Sequence, residues 1–227
     1  MKRKIITTGD GSTTIHLEEW NEQYHSTHGA IQEAVHVFIK TGLHYIQNTF
    51  NPDQIHILEI GFGTGLNAFI TYLEAKKHNF YINYHGVEAY PVTSAEINQL
   101  NYTNELKAED EKAIFEKMHV CDWGKKTVLS ENFKLTKREQ FFDQINDKEK
   151  FNLIYFDAFG ARVQPELWTV TIFQKMYKAM QNKSVLVTYA AKGSVRRAMQ
   201  EVGFKVERLP GPPGKREMLR ATKLTNI

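Results

Sequence analysis

Residues 55–67 read Ile-His-Ile-Leu-Glu-Ile-Gly-Phe-Gly-Thr-Gly-Leu-Asn, and they carry the clearest structural signal in the chain. Its first half is an apolar run typical of a buried strand, and glycine then fills every second position from 61 to 65. Apolar residues recur at helical spacing from Leu66 to Leu73, so the stretch predicts a strand, a glycine turn and a helix. This unit suits a nucleotide-type ligand, because glycine lets the backbone approach the ligand and the helix N-terminus offers free N–H groups. A glycine-rich turn without a ligand is the alternative.

The spacing of the glycines distinguishes between cofactors. A dinucleotide fingerprint requires glycine at position 66, where this chain has leucine. With an acidic residue just ahead of the first glycine, the stretch resembles the acidic Gly-x-Gly-x-Gly signature of class I S-adenosylmethionine (SAM) methyltransferases. That resemblance implies SAM as the cofactor, and a cofactor site that includes Glu59, Gly61, Gly63, Thr64, Gly65 and Asn67.

The composition is typical of one globular domain. The chain has 227 residues, 41% of them hydrophobic, which is enough for one full core. We predict residues 51–227 as the methyltransferase core, with residues 1–50 as a hairpin and a helix packed on it. No apolar run reaches the roughly 18 residues of a membrane span, so no membrane partner is predicted. The single cysteine, Cys121, excludes an internal disulfide and a multi-cysteine metal site, and it indicates a cytoplasmic location.

Positive charge is concentrated near the C-terminus. Residues 183–227 contain ten lysines and arginines against three acids, whereas residues 1–182 carry a net charge of −4. This asymmetry indicates a polyanionic partner, although a solvated basic edge explains the charge equally well. The candidate phosphate-binding residues are Lys192, Arg196, Arg197, Lys215 and Arg216.

Strand and helix patterns alternate from residue 55 to residue 204, and two further strands follow at 205–209 and 217–221. This order predicts an α/β fold, namely the doubly wound, mostly parallel, Rossmann-like sheet of a class I methyltransferase with an antiparallel hairpin at its C-terminal edge. An Asp-Gly turn between residues 5–8 and 13–17 predicts a small N-terminal β-hairpin. Helical spacing from 31 to 46 predicts a long helix after it.

Two acids fall at the carboxyl ends of predicted strands, where ligands collect in such a sheet. Glu88 ends the second strand, 23 positions after Gly65, and is placed to accept the hydroxyls of a ribose. Asp157 follows the apolar strand 151–156, and its carboxylate is suited to orient an amine nucleophile and to stabilise the ammonium that develops. A role for Asp157 as a helix cap is the alternative.

The third strand of the sheet is ambiguous. A strand at 118–122 would offer Asp122 to the adenine amino group, and a strand at 133–137 would offer Glu139. We prefer the second, because Trp123-Gly124 resembles a break before a strand. Among the aromatic residues, Tyr24 and Phe159 are candidates to stack a base. His25 and His28 lack an acidic or cysteine partner nearby in sequence, so no metal is predicted.

Five segments together resemble the MnmC/MnmD methyltransferase family: residues 59–67, 154–159 and 165–168, residues 188–197 in two parts, and residues 214–218. The family adds the last methyl group of 5-methylaminomethyl-2-thiouridine at the wobble position of certain tRNAs. The resemblance therefore implies tRNA, through its anticodon loop, as the partner. It also implies Asp157 as the catalytic residue and places Lys215 to Met218 near the cofactor and substrate mouth. Bifunctional relatives carry an FAD-dependent oxidase domain, for which this sequence shows no second fingerprint, so we predict a stand-alone methyltransferase.

Two other functions fit parts of the sequence. Carboxylates at the rim would also suit a methyltransferase or aminopropyltransferase that acts on a small amine, but the basic C-terminal segment disfavours this. A non-catalytic RNA-binding module on the same fold is disfavoured by the intact glycine turn together with Glu59 and Glu88.

Overall fold

The computed structural model describes residues 2–224 and is built around an eight-stranded mixed sheet. Its spatial order is β10-β11-β9-β8-β4-β5-β7-β6. The central strands β9, β8, β4, β5 and β7 run parallel, and β6, β11 and β10 are antiparallel at the two edges. The strands are β4 (Ile55–Ile60), β5 (Ile82–Glu88), β6 (Lys126–Ser130), β7 (Phe133–Glu139), β8 (Phe151–Phe156), β9 (Met180–Thr188), β10 (Lys205–Pro210) and β11 (Glu217–Lys223).

Helices cover both faces of the sheet, because side chains alternate between the faces along each buried strand. On one face, Ile57 and Tyr155 pack with the helices near the N-terminus, and on the other, Leu58 and Ile154 pack with the later helices. The helices are α1 (Ala30–Ala34), α2 (His44–Phe50), α3 (Leu66–His78), α4 (Ser94–Ile97), α5 (Tyr102–Glu105), α6 (Lys112–Val120), α7 (Val170–Ala179) and α8 (Gly193–Glu201). Short 3-10 helices cover Glu109–Glu111, Phe142–Gln144 and Pro165–Trp168.

A π-helical stretch, Val35–Leu43, joins α1 to α2 into one continuous helix. A Cβ atom at Gly42 would lie 3.0 Å from Val187 and 3.3 Å from Tyr155. Glycine at this position therefore lets the helix approach β8 and β9 closely.

A separate three-stranded sheet is formed near the N-terminus by β1 (Arg3–Thr7), β2 (Thr13–Leu17) and β3 (Glu22–Gln23). It contacts the segment after β5, since Arg3 forms an ion pair with Glu96 at 3.3 Å. Arg162, which follows β8, donates to Glu22 at 2.8 Å. These contacts hold the small sheet beside the carboxyl ends of the central strands.

The predicted fold class is confirmed, including the antiparallel C-terminal hairpin and the small N-terminal hairpin. The preferred third strand is also correct, because residues 133–139 form β7 whereas residues 112–120 are helical. The strand β6 was not predicted from the sequence. No helix within residues 2–224 combines the length and hydropathy of a membrane span.

Candidate active site

A cavity of about 1040 Å³ opens at the carboxyl ends of β4, β5, β8 and β9. The strand order reverses between β4 and β8, which is the switch point where ligands bind in sheets of this kind. The wall includes eight residues predicted from the sequence, namely Tyr24, Gly61, Gly63, Thr64, Asn67, Glu88, Asp157 and Phe159.

The glycine turn is packed so tightly that side chains do not fit. Gly61 has a φ of +91°, and a Cβ there would lie 2.7 Å from the carbonyl oxygen of Asp157. Gly63 has a φ of +48°, and its Cβ would lie 3.0 Å from the ring of Tyr24. Gly65, outside the cavity wall, precedes α3 with a φ of +72°. The turn therefore forms a bare backbone cradle between Asp157 and Tyr24.

Asn67 links two carboxyl groups at the base of this cradle. Its side-chain amide donates to Glu59 Oε1 at 2.9 Å and to Asp157 Oδ2 at 2.8 Å. Glu59 is fully buried and lies behind Asn67 rather than in the cavity wall. Burial raises the pKa of Glu59 well above its usual value, against the hydrogen bond from Asn67, which lowers it. Glu59 thus helps to orient the side chain of Asn67, which in turn holds Asp157 in the cavity wall.

Asp157 faces the cavity, and hydrogen bonds to the carbonyl oxygens of the next two residues hold its backbone in place. Burial and then the nearby Glu33 raise its pKa to about 7, although the hydrogen bond from Asn67 and the charge of Lys215 oppose this. The hydroxyl of Tyr189 donates to Ala158 O at 2.8 Å, and the indole N–H of Trp168 donates to Phe159 O, also at 2.8 Å. These two bonds fix the segment that carries Asp157, and no pattern in the sequence predicts this role for Tyr189 or Trp168.

Glu88 stands at the end of β5, across the glycine turn. Its carboxylate accepts hydrogen bonds from the backbone N–H of Gly63 at 2.9 Å and of Tyr90 at 3.0 Å. Each carboxylate oxygen has a second lone pair that a hydroxyl donor can use. Beside Glu88, the exposed rings of Tyr90 and Phe141 meet edge to face at 6.0 Å and form one side of the cavity mouth.

The predicted adenine contact, Glu139, does not reach the cavity wall. It is exposed and lies outside the cavity wall, in register with Glu88 on the neighbouring strand. Four residues later, Asp143 lies in the 3-10 turn after β7 and does line the cavity. The chain therefore turns towards the cavity only after it has left the strand, and the acid that reaches the cavity wall is the one in the turn.

Aromatic side chains form another part of the cavity wall. Phe159 meets Tyr24 edge to face at 5.1 Å and Trp20 at 5.7 Å. His25 also lines the cavity, with Nδ1 at 2.9 Å from the hydroxyl of Thr14. Burial lowers the pKa of His25 to about 4, so its imidazole is neutral at pH 7.

None of the five predicted phosphate-binding residues lies in the cavity wall. Lys192, just before α8, is exposed, as is Arg197 on α8, whereas Arg196 on α8 is half-buried. Arg216 is exposed on the loop between β10 and β11. Lys215 differs from them, because its ammonium group pairs with the buried carboxylate of Glu33 and lies 3.9 Å from the ring centre of Tyr189. This ammonium is therefore committed to an internal ion pair, which makes it a poor phosphate ligand.

Replacing Lys215 by methionine is expected to lower the free energy of unfolding by about 1–3 kcal/mol, because Glu33 would remain buried without its cation. Chemical denaturation measures this change, and Arg216→Met, at the exposed neighbouring position, is the matched control. Equal stabilities of the two variants would contradict the structural role of the pair.

The charges and shape of the cavity fit SAM. Carboxylates of Glu88 and Asp157 suit a ribose diol and a cationic group respectively, and the glycine cradle leaves room for a ligand against the backbone. The wall contains six acids, whereas Arg3 is its one lysine or arginine. An acidic cavity of this kind favours a sulfonium or ammonium ligand and disfavours a phosphate.

The chain is similar to several known proteins. A family model described as S-adenosyl-L-methionine-dependent methyltransferase matches residues 114–224. The tRNA 5-methylaminomethyl-2-thiouridine biosynthesis bifunctional protein MnmC of Hydrogenovibrio crunogenus is 26% identical over 88% of this chain and 31% of its own length. The protein of that name from Leptospira interrogans is 28% identical over 89% of this chain and 32% of its own length. The chain thus spans about a third of the length of these curated relatives.

Solved structures support the fold. MnmC2 from Aquifex aeolicus superposes with a TM-score of 0.80 at 24% identity, over 100% of this chain and 73% of that chain. Spermidine synthase from Thermotoga maritima superposes with a TM-score of 0.57 at 14% identity, over 99% of this chain and 69% of that chain. Residues 114–224 are thus similar to S-adenosyl-L-methionine-dependent methyltransferases, and the chain as a whole shares its fold with MnmC2 from Aquifex aeolicus.

Proposed function

We propose that this protein methylates the primary amine of 5-aminomethyl-2-thiouridine at the tRNA wobble position and so forms 5-methylaminomethyl-2-thiouridine. The observation that carries the proposal is the carboxylate of Asp157, held by Asn67 beside the glycine cradle in an acidic cavity. The names of the curated relatives support the choice of the tRNA nucleoside. On this proposal the protein works in the cytoplasm on the anticodon loop of its tRNA.

SAM supplies a methyl group on a sulfonium sulfur, which is open to in-line attack. The amine must therefore arrive as a neutral group with a free lone pair. Asp157 accepts N–H hydrogen bonds from it, which orients the lone pair, and stabilises the positive charge that develops on nitrogen. After transfer the nitrogen carries one proton too many, and Asp157, whose pKa is about 7, is suited to receive it.

The remaining residues position the two substrates. We assign Glu88 to the ribose of the cofactor, and Asp143, in place of Glu139, to its adenine. Tyr24 and Phe159 flank the route to Asp157 and are suited to stack a uridine that is splayed out of a single-stranded loop. Positioning of this kind supplies much of the acceleration in group transfer.

Phosphates of the tRNA are expected to stay outside the acidic cavity. The candidate surface consists of Lys192, Arg196, Arg197 and Arg216, which we call the basic edge. This edge adjoins the cavity through Tyr189, which lies in the cavity wall. Tyr189 is three residues before Lys192, and its ring contacts Lys215, the residue before Arg216. Separate surfaces for the base and for the backbone suit a protein that takes one nucleotide out of a loop.

Changing Arg196, Arg197 and Arg216 to alanine together is expected to weaken tRNA binding and to reduce the slope of log affinity against log salt by about one unit per lost contact. SAM affinity should not change. A triple variant at Lys112, Lys126 and Lys148, which are exposed and outside the cavity wall, removes the same charge and is the control. Equal salt slopes for the two triple variants would show that the basic edge is only solvated surface.

A small amine is the second candidate substrate, favoured by the similarity in fold to spermidine synthase. Transfer of labelled methyl from SAM separates the candidates when three acceptors are compared: tRNA carrying 5-aminomethyl-2-thiouridine, the same tRNA without the modification, and putrescine. We expect label in the first acceptor only. Label in putrescine alone would overturn the proposal.

A further inference from the structure

Two histidines and a glutamate converge on the surface between α2 and α3. His44 is the first residue of α2, and His78 is the last residue of α3. Glu74 lies four residues before His78, so both side chains are on the same face of α3. His44 Nε2 is 2.7 Å from Glu74 Oε2, and His78 Nε2 is 3.4 Å from the same oxygen.

The surrounding contacts hold the three side chains in this arrangement. The ring of His78 stacks on Phe80 at 5.3 Å with an interplanar angle of 19°. It meets the ring of His44 edge to face at 5.6 Å. On the other carboxylate oxygen, Lys77 Nζ is 3.9 Å from Glu74 Oε1, which leaves Oε2 to the two imidazoles.

We propose that His44, Glu74 and His78 bind one divalent first-row transition ion such as zinc. One donor atom from each of the three residues lies within 4.8 Å of the others. Tetrahedral zinc, with ligand bonds of about 2.0–2.2 Å, holds its donors roughly 3.4 Å apart. Small side-chain rotations are therefore enough to reach a ligand geometry.

The donor set indicates the class of ion. Two imidazole nitrogens and one carboxylate oxygen suit zinc, copper or nickel, whereas magnesium and calcium prefer oxygen ligands throughout. The side chains of His44 and His78 are 34% and 40% exposed, so water has access to a fourth coordination position. None of the three residues lines the SAM cavity, and the bound ion would tie α2 to α3 without entering the reaction.

Hydrogen bonds alone would also tie these helices, so the experiment must separate the two roles. Glu74→Gln keeps a hydrogen-bond acceptor of the same shape and removes the anionic ligand. His44→Ala and His78→Ala each remove one nitrogen donor. His16→Ala, on β2 and away from the trio, controls for unspecific binding to histidine.

The whole chain, stripped with a chelator, is titrated with zinc chloride in a calorimeter, and its melting temperature is followed in parallel. We expect one zinc per chain and a rise in melting temperature of roughly 5–10 °C at a hundredfold excess over the dissociation constant. Each of the three trio variants should bind zinc at least about tenfold more weakly. His16→Ala should bind like the wild type, and magnesium chloride should give no rise.

Absence of a stoichiometric zinc site in the wild type would overturn the proposal. Zinc affinity that is unchanged in His44→Ala and His78→Ala would also overturn it, because the ion would then be held elsewhere. Unchanged affinity in Glu74→Gln would remove the carboxylate from the ligand set and contradict the trio as proposed.

Discussion

Asp157→Asn is expected to give a folded protein that binds SAM and tRNA and transfers the methyl group about 10²–10³ times more slowly than the wild type. Asparagine keeps the shape of the side chain and can still accept the hydrogen bond from Asn67, which is 2.8 Å long in the wild type. The negative charge that faces the amine as it becomes cationic is lost. Single-turnover assays at saturating SAM and tRNA measure the effect, and a rate within about threefold of the wild type would contradict it.

The dependence of the reaction rate on pH provides a second test of the role of the Asp157 carboxylate. Because burial raises the pKa of Asp157 to about 7, the wild-type rate should increase with pH up to that value as the carboxylate ionises. The variant should lose this limb near pH 7, whereas a rise caused by deprotonation of the substrate amine should remain in both proteins. A limb that persists in Asp157→Asn would assign the titration to another group.

Asp157→Asn, which lowers the rate of methyl transfer, should raise the stability of the folded protein above pH 7. The folded-state pKa of Asp157, about 7, lies above the usual 3.8, so ionisation of this carboxyl group opposes folding. The stability that the protonated carboxyl group contributes is therefore lost as the pH rises through 7. Asparagine does not ionise. The melting temperature of Asp157→Asn should therefore exceed that of the wild type at pH 8 and approach it near pH 4.

Glu88→Ala is expected to weaken SAM binding by about a hundredfold or more. Two charge-assisted hydrogen bonds to the ribose are lost, each worth on the order of 1.5–3 kcal/mol. The backbone N–H groups of Gly63 and Tyr90 also lose their acceptor, which loosens the glycine turn. Calorimetric titration with SAM measures the affinity.

Glu139→Ala is the matched control for this experiment. Glu139 lies opposite Glu88 in register on the next strand, but it is exposed and outside the cavity wall. SAM affinity should be unchanged in this variant and reduced in Asp143→Ala. Equal affinities of the Glu88 and Glu139 variants would move the ribose contact elsewhere.

The parts of the site that could be predicted from sequence are those set by local pattern and by sheet geometry. The glycine turn is defined by consecutive residues, and Glu88 and Asp157 follow strands whose carboxyl ends must meet at one edge. Asp143 was missed because it follows its strand by four residues, and a 3-10 turn of this length leaves no periodic signal.

Contacts between distant parts of the chain were not predictable from pattern. Lys215 was predicted to bind phosphate, and its partner Glu33 is 182 positions away along the chain. Glu33 lies on α1, where it had no feature that distinguished it from other helical acids. In the same way, the donors that fix the Asp157 segment, Tyr189 and Trp168, resemble ordinary core aromatics in the sequence.

Nucleoside mass spectrometry tests the proposed reaction most directly. The purified protein is incubated with SAM and tRNA that carries 5-aminomethyl-2-thiouridine, and the tRNA is then digested to nucleosides. We expect that this nucleoside is replaced by one heavier by a single methylene, with the methyl group on the side-chain amine, and that Asp157→Asn forms it far more slowly. An unchanged 5-aminomethyl-2-thiouridine, or a methyl group found on another nucleoside, would contradict the proposed reaction.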